Sequence, residues 1–227
     1  MEMQLLWVLV LAGLSGILAQ TDLYQKVFVF RNDPSNAYVR VQTKPEQPLQ
    51  NFTVCLRSFS DQTRPYGLFS YASKAHDSEI LIFKLKSGEY RLYVGGEFVM
   101  YHVPENRMDW DHVCASWESA MGLATFWING KPLPRKGLQK GYFISAEAMI
   151  LLGQKQDGYG GSFDPYNSLT GEMADVYMWE YVLSPAQMRA AYLSLRLPPC
   201  ALGWRNLQYE IKGDVVVKPR LRESVVL

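Results

Sequence analysis

EILIFKLK, residues 79–86, and EYRLYV, residues 89–94, stand on either side of Ser87-Gly88. Alternation at period two puts Leu81, Phe83 and Leu85 on one face of the first run, with Ile80, Ile82, Lys84 and Lys86 on the other. In the second run Tyr90, Leu92 and Val94 share a side, and Arg91 and Tyr93 share the opposite one. The Lys-Ser-Gly-Glu between them reads as a hairpin turn, so the pair predicts two antiparallel strands.

The same signal extends outward in both directions. KVFVF (26–30), VYMWEYV (176–182) and DVVVKP (214–219) are dense in β-branched and aromatic residues. ATFWINGKPL carries Asn129-Gly130, a strong hairpin signal. One helix is predicted after Ser184, with Pro185 at its first position and Gln187 completing a capping box. Met188, Tyr192 and Leu195 recur at helical spacing, and the helix is expected to end by Pro198-Pro199. Many short strands and one helix near the C-terminus predict an all-β fold, a two-sheet antiparallel sandwich.

The chain opens MEMQLLWVLVLAGLSGILAQ, an apolar run followed at once by polar residues. It reads as a secretory signal over 1–19, cleaved after Ala19 and too short for a comfortable membrane span. Loss of Glu2 with it moves the formal net charge from +1 to +2, which argues against a general pull on nucleic acid. The expected organisation is a domain over 20–221 and an exposed tail over 222–227, in a secreted, extracellular protein without a membrane span. Cys55, Cys114 and Cys200 then leave one pair and one leftover thiol, with all three pairings open. Asn51-Phe52-Thr53 is a sequon, expected to carry a glycan in such a chain.

Signals for catalysis are lacking. His76, His102 and His112 are scattered, and HExxH, CxxC and G-x-S-x-G motifs are absent. A glycosidase on such a sandwich needs two carboxylates flanking the scissile bond. The nearest candidates, Glu172 and Asp175, would face opposite sides of a regular strand. Trp117, Trp127, Trp179 and Trp204 read as core packing rather than as a ligand platform. The chain is expected not to be an enzyme.

LLGQKQDGYGGSFDPYN, residues 151–167, is different. Calcium takes six to eight oxygens at about 2.3–2.6 Å. Gln156, Asp157, Asp164 and Asn167 offer oxygens on a glycine-permissive backbone, and the cluster HDSE (76–79) can add more. Lys155 runs against that reading, because a metal loop should avoid a positive charge.

HVCASWES (112–119) carries the pattern His-x-Cys-x-Ser-Trp-x-Ser complete and in order. With FWINGKPL, QKGYF, GQKQDGYGG, LGW and YEIKG it makes the chain resemble the short pentraxins from about Thr21 to Leu221. The resemblance implies a jelly-roll protomer in a ring, usually a pentamer, that binds phosphate- or carbohydrate-bearing surface ligands through calcium in innate immunity. It implies a Cys55–Cys114 disulfide with Cys200 unpaired, and a glycan at Asn51. For calcium it implies Asp77-Ser78 at an Asp-Asn pair and Lys155-Gln156-Asp157 at a Glu-Gln-Asp run, with Gln156 offering its main-chain carbonyl. Asp164 and Asn167 stand at a Glu and a Gln. Lysine thus replaces a shared glutamate, and the remaining substitutions shorten or remove donors. A lysine charge about 5 Å from Ca²⁺ is repelled by roughly 6–7 kcal/mol at an effective dielectric of about 20. The expected cofactor is therefore one weak calcium ion or none, with Lys155 paired to Asp157 and Asp164. The implied ligand pocket is Phe83, Tyr93 and Phe98, the last standing where a choline-binding branch of the family has a glutamate. The alternative is a ring-forming scaffold that has lost calcium-dependent binding.

Overall fold

The computed structural model describes residues 22–31, 36–42, 44–86, 88–104 and 109–221. The expected leader and the tail from 222 to 227 lie outside the described residues. In chain order the strands are β1 (Lys26–Phe30), β2 (Tyr38–Val41), β3 (Asn51–Phe59), β4 (Tyr66–Ala72), β5 (Ile80–Lys86), β6 (Glu89–Val94), β7 (Glu97–His102) and β8 (Asp111–Glu118). They continue as β9 (Leu123–Ile128), β10 (Lys131–Pro132), β11 (Lys136–Gly137), β12 (Met149–Leu152), β13 (Gly171–Trp179), β14 (Tyr209–Lys212) and β15 (Val215–Pro219). One α-helix, α1 (Pro185–Tyr192), is present among the described residues.

Two antiparallel sheets stack as a jelly-roll sandwich. The first runs β10-β9-β8-β3-β13-β1-β15, with β11 also on β9, and the second runs β14-β2-β12-β4-β5-β6-β7. The hairpin at 80–94 pairs Ile80 with Val94 and Ile82 with Leu92, and all four enter the space between the sheets. Asn129 and Gly130 both have positive φ, as a tight hairpin turn between β9 and β10 requires.

On β3 and β8 the alternation divides two cores. Val54, Leu56, Val113, Ala115 and Trp117 join the main core. Cys55 and Cys114 pack outward with Trp127, Trp179, Leu183, Met188 and Ala191 beneath α1. These cysteines are direct cross-strand partners with Cα atoms 4.1 Å apart, and they form the disulfide. Cys200 is the free thiol. Trp117, Trp179 and Trp204 are fully buried, and their indole N–H groups donate to the carbonyls of Leu138, Pro198 and Leu23.

The Ser184–Gln187 capping box forms as the sequence predicts, but α1 stops at Tyr192 rather than running on through Leu195. The buried Arg57 guanidinium takes the Tyr192 carbonyl, and Ser194 turns left-handed at φ 55°. β13 begins at Gly171 and ends at Trp179, and a bulge interrupts it between Ala174 and Tyr177. Asp175 lies within that bulge, so the regular alternation on which the expected separation of Glu172 and Asp175 rested does not hold there. The charge of Arg220 reaches Glu172, and Arg220 also pairs with Asp175.

Candidate functional site

The candidate site lies on the outer face of the second sheet. From β12 the chain passes over β4, where Gly67 makes room for it. A Cβ at Gly67 would sit 2.6 Å from the Gln154 carbonyl carbon and the Lys155 nitrogen. Gln156 is fully buried and fastens the loop: its amide nitrogen donates to the Ser70 and Met149 carbonyls at 3.0 Å, and its oxygen accepts from Gly160 N–H at 2.8 Å. Its own backbone N–H reaches the Ser70 hydroxyl. Arg64 donates to the carbonyls of Tyr166 and Ser168 at 2.8 Å, and Gln62 bonds Ser168 and Thr170, so the far end is fixed too.

Within this loop the Lys155 ammonium sits directly on the Asp157 carboxylate, both partly exposed. Asp164 does not join them. It caps the short 3₁₀ turn Pro165–Asn167, accepting from Tyr166 N–H at 2.9 Å and from the Asn167 amide at 3.2 Å. Local geometry decides this difference from the expected bridge, because Pro165 opens the turn and two nearby donors outcompete a lysine nine positions away in sequence.

The second cluster approaches from the β4–β5 connection. Asp77 accepts from the Ser78 hydroxyl at 3.0 Å. Ser78 and Glu79 offer their carbonyls to Gly96 and Gly95, which docks this turn onto the one between β6 and β7. Glu79 is buried, and sequence reading gave it no such role. Its two oxygens accept from Ser73 at 2.8 Å and from the Tyr142 hydroxyl at 2.7 Å. Burial first, then the Glu79 carboxylate, pushes the Tyr142 hydroxyl well above its ordinary pKa.

These donors fit calcium unevenly. Asp77, Asp157 and the Gln156 main-chain carbonyl offer hard oxygens of the kind that calcium takes. The Gln156 side chain is committed to the sheet, and both Asp164 oxygens accept hydrogen bonds, one from Tyr166 N–H and one from the Asn167 amide nitrogen. Among the described residues, the group of three ligand-type side chains with atoms within 4.8 Å of one another is Cys55, His112 and Cys114. That group offers no metal site while its sulfurs are joined in the disulfide.

Phe83 is nearly buried beside this region, whereas Phe98 is 43% exposed. Tyr93 and Phe98 are cross-strand partners with ring centroids 5.0 Å apart. Arg91, which alternation had placed on the Tyr93 face without a role, lies with its guanidinium carbon 4.4 Å from the Phe98 centroid. Asn51 opens β3 and is half-buried.

The family model described as the Pentaxin family matches residues 26–219. Serum amyloid P-component of Cavia porcellus is 50% identical over 221 residues, covering 97% of this chain and 99% of that protein. Human serum amyloid P-component is 48% identical over 219 residues, covering 96% and 98%. Human C-reactive protein is 46% identical over 220 residues, covering 96% and 98%. Among solved structures, the native heptameric SAP-like pentraxin from Limulus polyphemus superposes with a TM-score of 0.77 at 23% identity, covering 87% of this chain and 96% of that one. That likeness speaks for the fold.

Proposed function

This chain belongs to the pentraxin family, and from that premise we propose that it is a secreted, ring-forming recognition protein of innate immunity whose calcium loop is weakened. Pentraxin relatives of this kind are recognition proteins and not enzymes, so a ligand-binding role is the family's contribution. The observation that carries the weakened-calcium reading is the Lys155–Asp157 ion pair. An ammonium on Asp157 neutralises a carboxylate that a cation needs and adds its own repulsion, worth several kcal/mol at about 5 Å. Micromolar binding amounts to only about 8 kcal/mol, so two intact calcium positions are not sustained. Ligands are phosphate- or carbohydrate-bearing surfaces, and Asn51 carries a glycan. Among the described residues no helix is long and apolar enough to cross a membrane.

Calorimetric calcium titration of the secreted protein tests the reading, alongside Lys155→Glu. The wild type should take about one weak ion or none, and the variant should gain an ion. Two ions at micromolar affinity in the wild type would overturn it. The ring, whose size we propose as five, is checked by sedimentation, and monomer alone at micromolar concentration would contradict assembly. The alternative, a scaffold without calcium-dependent binding, draws support from Asp164 and Asn167 being tied to one another. A wild type that forms rings but shows neither calcium heat nor binding to phosphate- or carbohydrate-bearing surfaces selects that alternative.

A further inference from the structure

On the outer face of the second sheet, β7 is an edge strand and its neighbours are β6 and β5. Cross-strand register aligns Leu81, Tyr93 and Phe98 in one row and Phe83, Arg91 and Met100 in the next. Arg91 stacks on the exposed Phe98 ring and donates one N–H to the Tyr93 hydroxyl at 3.2 Å. Its Nε is buried and has no hydrogen-bond partner.

Arg57 and Arg220 also have a buried Nε without a hydrogen-bond partner, but both are ion-paired to Asp175. Among the described residues, Arg57, Arg64 and Arg220 are the other arginines that are not exposed, and each holds a carboxylate or backbone carbonyls. Arg91 has neither. Glu89 is engaged by Lys86 and His102, and Glu97 points to the other face of β7 from Phe98 by alternation. A half-buried cation is costly without a counter-charge. Here its plane is fixed by Phe98 and Tyr93; the Nε–H is buried and one N–H goes to Tyr93, so the donors left for a ligand are those of the two terminal nitrogens. A guanidinium held flat in that way matches a carboxylate or phosphate bidentately.

We propose that Arg91, Phe98 and Tyr93 form a calcium-independent subsite for an organic anion carried on a flat apolar body, such as an aryl phosphate or aryl carboxylate. The anion meets the Arg91 fork, and the apolar body lies on the exposed ring of Phe98. This assignment deepens the recognition role proposed above and needs no metal. The subsite selects against cationic head groups, because a cation would be brought against Arg91 with no carboxylate to receive it.

The test is calorimetric titration of the full secreted protein in EDTA with phenyl phosphate, benzoate and choline. Phenyl phosphate and benzoate should bind and choline should not. Arg91→Ser should weaken both anions by at least about tenfold, as loss of a charge-assisted fork implies, and Arg91→Lys should fall between. Phe98→Ala, at an exposed position, should weaken the aryl anions and decides the matter if Arg91→Ser does not fold. No binding of either anion, equal binding of choline, or unchanged affinity in the variants would overturn the assignment. The calcium titration is independent: its failure with anion binding intact removes only the calcium reading, and the converse removes only this subsite.

Discussion

Gln156 carries more of the candidate site than its oxygen-donor reading suggests. Its side chain bonds two carbonyls on neighbouring strands and one N–H of its own loop, all in a fully buried setting. Gln156→Ala leaves those groups without a protein partner, at about 1–3 kcal/mol for each group that water cannot reach. The expected loss is about 2–4 kcal/mol of global stability by urea denaturation, with faster proteolysis between residues 153 and 167. Unchanged stability together with unchanged cleavage would show that the loop is held elsewhere. Lysine at 155 was legible in the sequence as a charge out of place, and the structure gives it a carboxylate. What Gln156 does was not legible, because a glutamine in a polar loop reads the same whether it faces a metal or a strand. Arg91 was placed on the correct face by alternation, but its stack on Phe98 depends on the β6–β7 register, which the sequence leaves open.

At the scale of elements, α1 is a lid over the disulfide. Its start was readable because capping is local, and its end was not, because Arg57 comes from β3, far away in sequence. The same contrast explains β5. Its alternation marked a strand, yet both faces are buried from Ile80 to Lys84. The bulge that turns Asp175 toward Arg57 and Arg220 has no local sequence signal at all. Ser184→Ala removes the hydroxyl that accepts from Gln187 N–H. Lost caps cost about 1 kcal/mol, or roughly 2–4 °C in a domain of this size. Because α1 packs on Cys55 and Cys114, the variant should also lose its disulfide faster to dithiothreitol. A lower melting temperature with unaltered reduction kinetics would mean that α1 does not shield the bond.

For the whole molecule, the two sheets are joined in one main core, and the motif HVCASWES spans both of its sides. Trp117 fills the space between the sheets, Cys114 bridges to β3, and His112 lies buried against Tyr192 of α1. Burial, and secondarily the Arg57 charge, push the His112 imidazole down to about 3. The consequence for stability has a definite sign. Above pH about 6.5 the imidazole is neutral folded and unfolded, and it adds no pH dependence. Below that the unfolded chain takes up a proton that the folded chain refuses until about pH 3, so stability falls as pH falls across this window. From pH 7 to 5 the loss attributable to His112 is about 2 kcal/mol. Urea denaturation of the wild type and of His112→Asn at both values isolates it, since other groups titrate in both proteins. The variant should be less stable at pH 7, where a buried packing partner is lost, but should show a shallower decline toward pH 5. Parallel declines in the two proteins would mean that His112 binds its proton as readily folded as unfolded, and that this buried motif contributes nothing to the acid sensitivity of the fold.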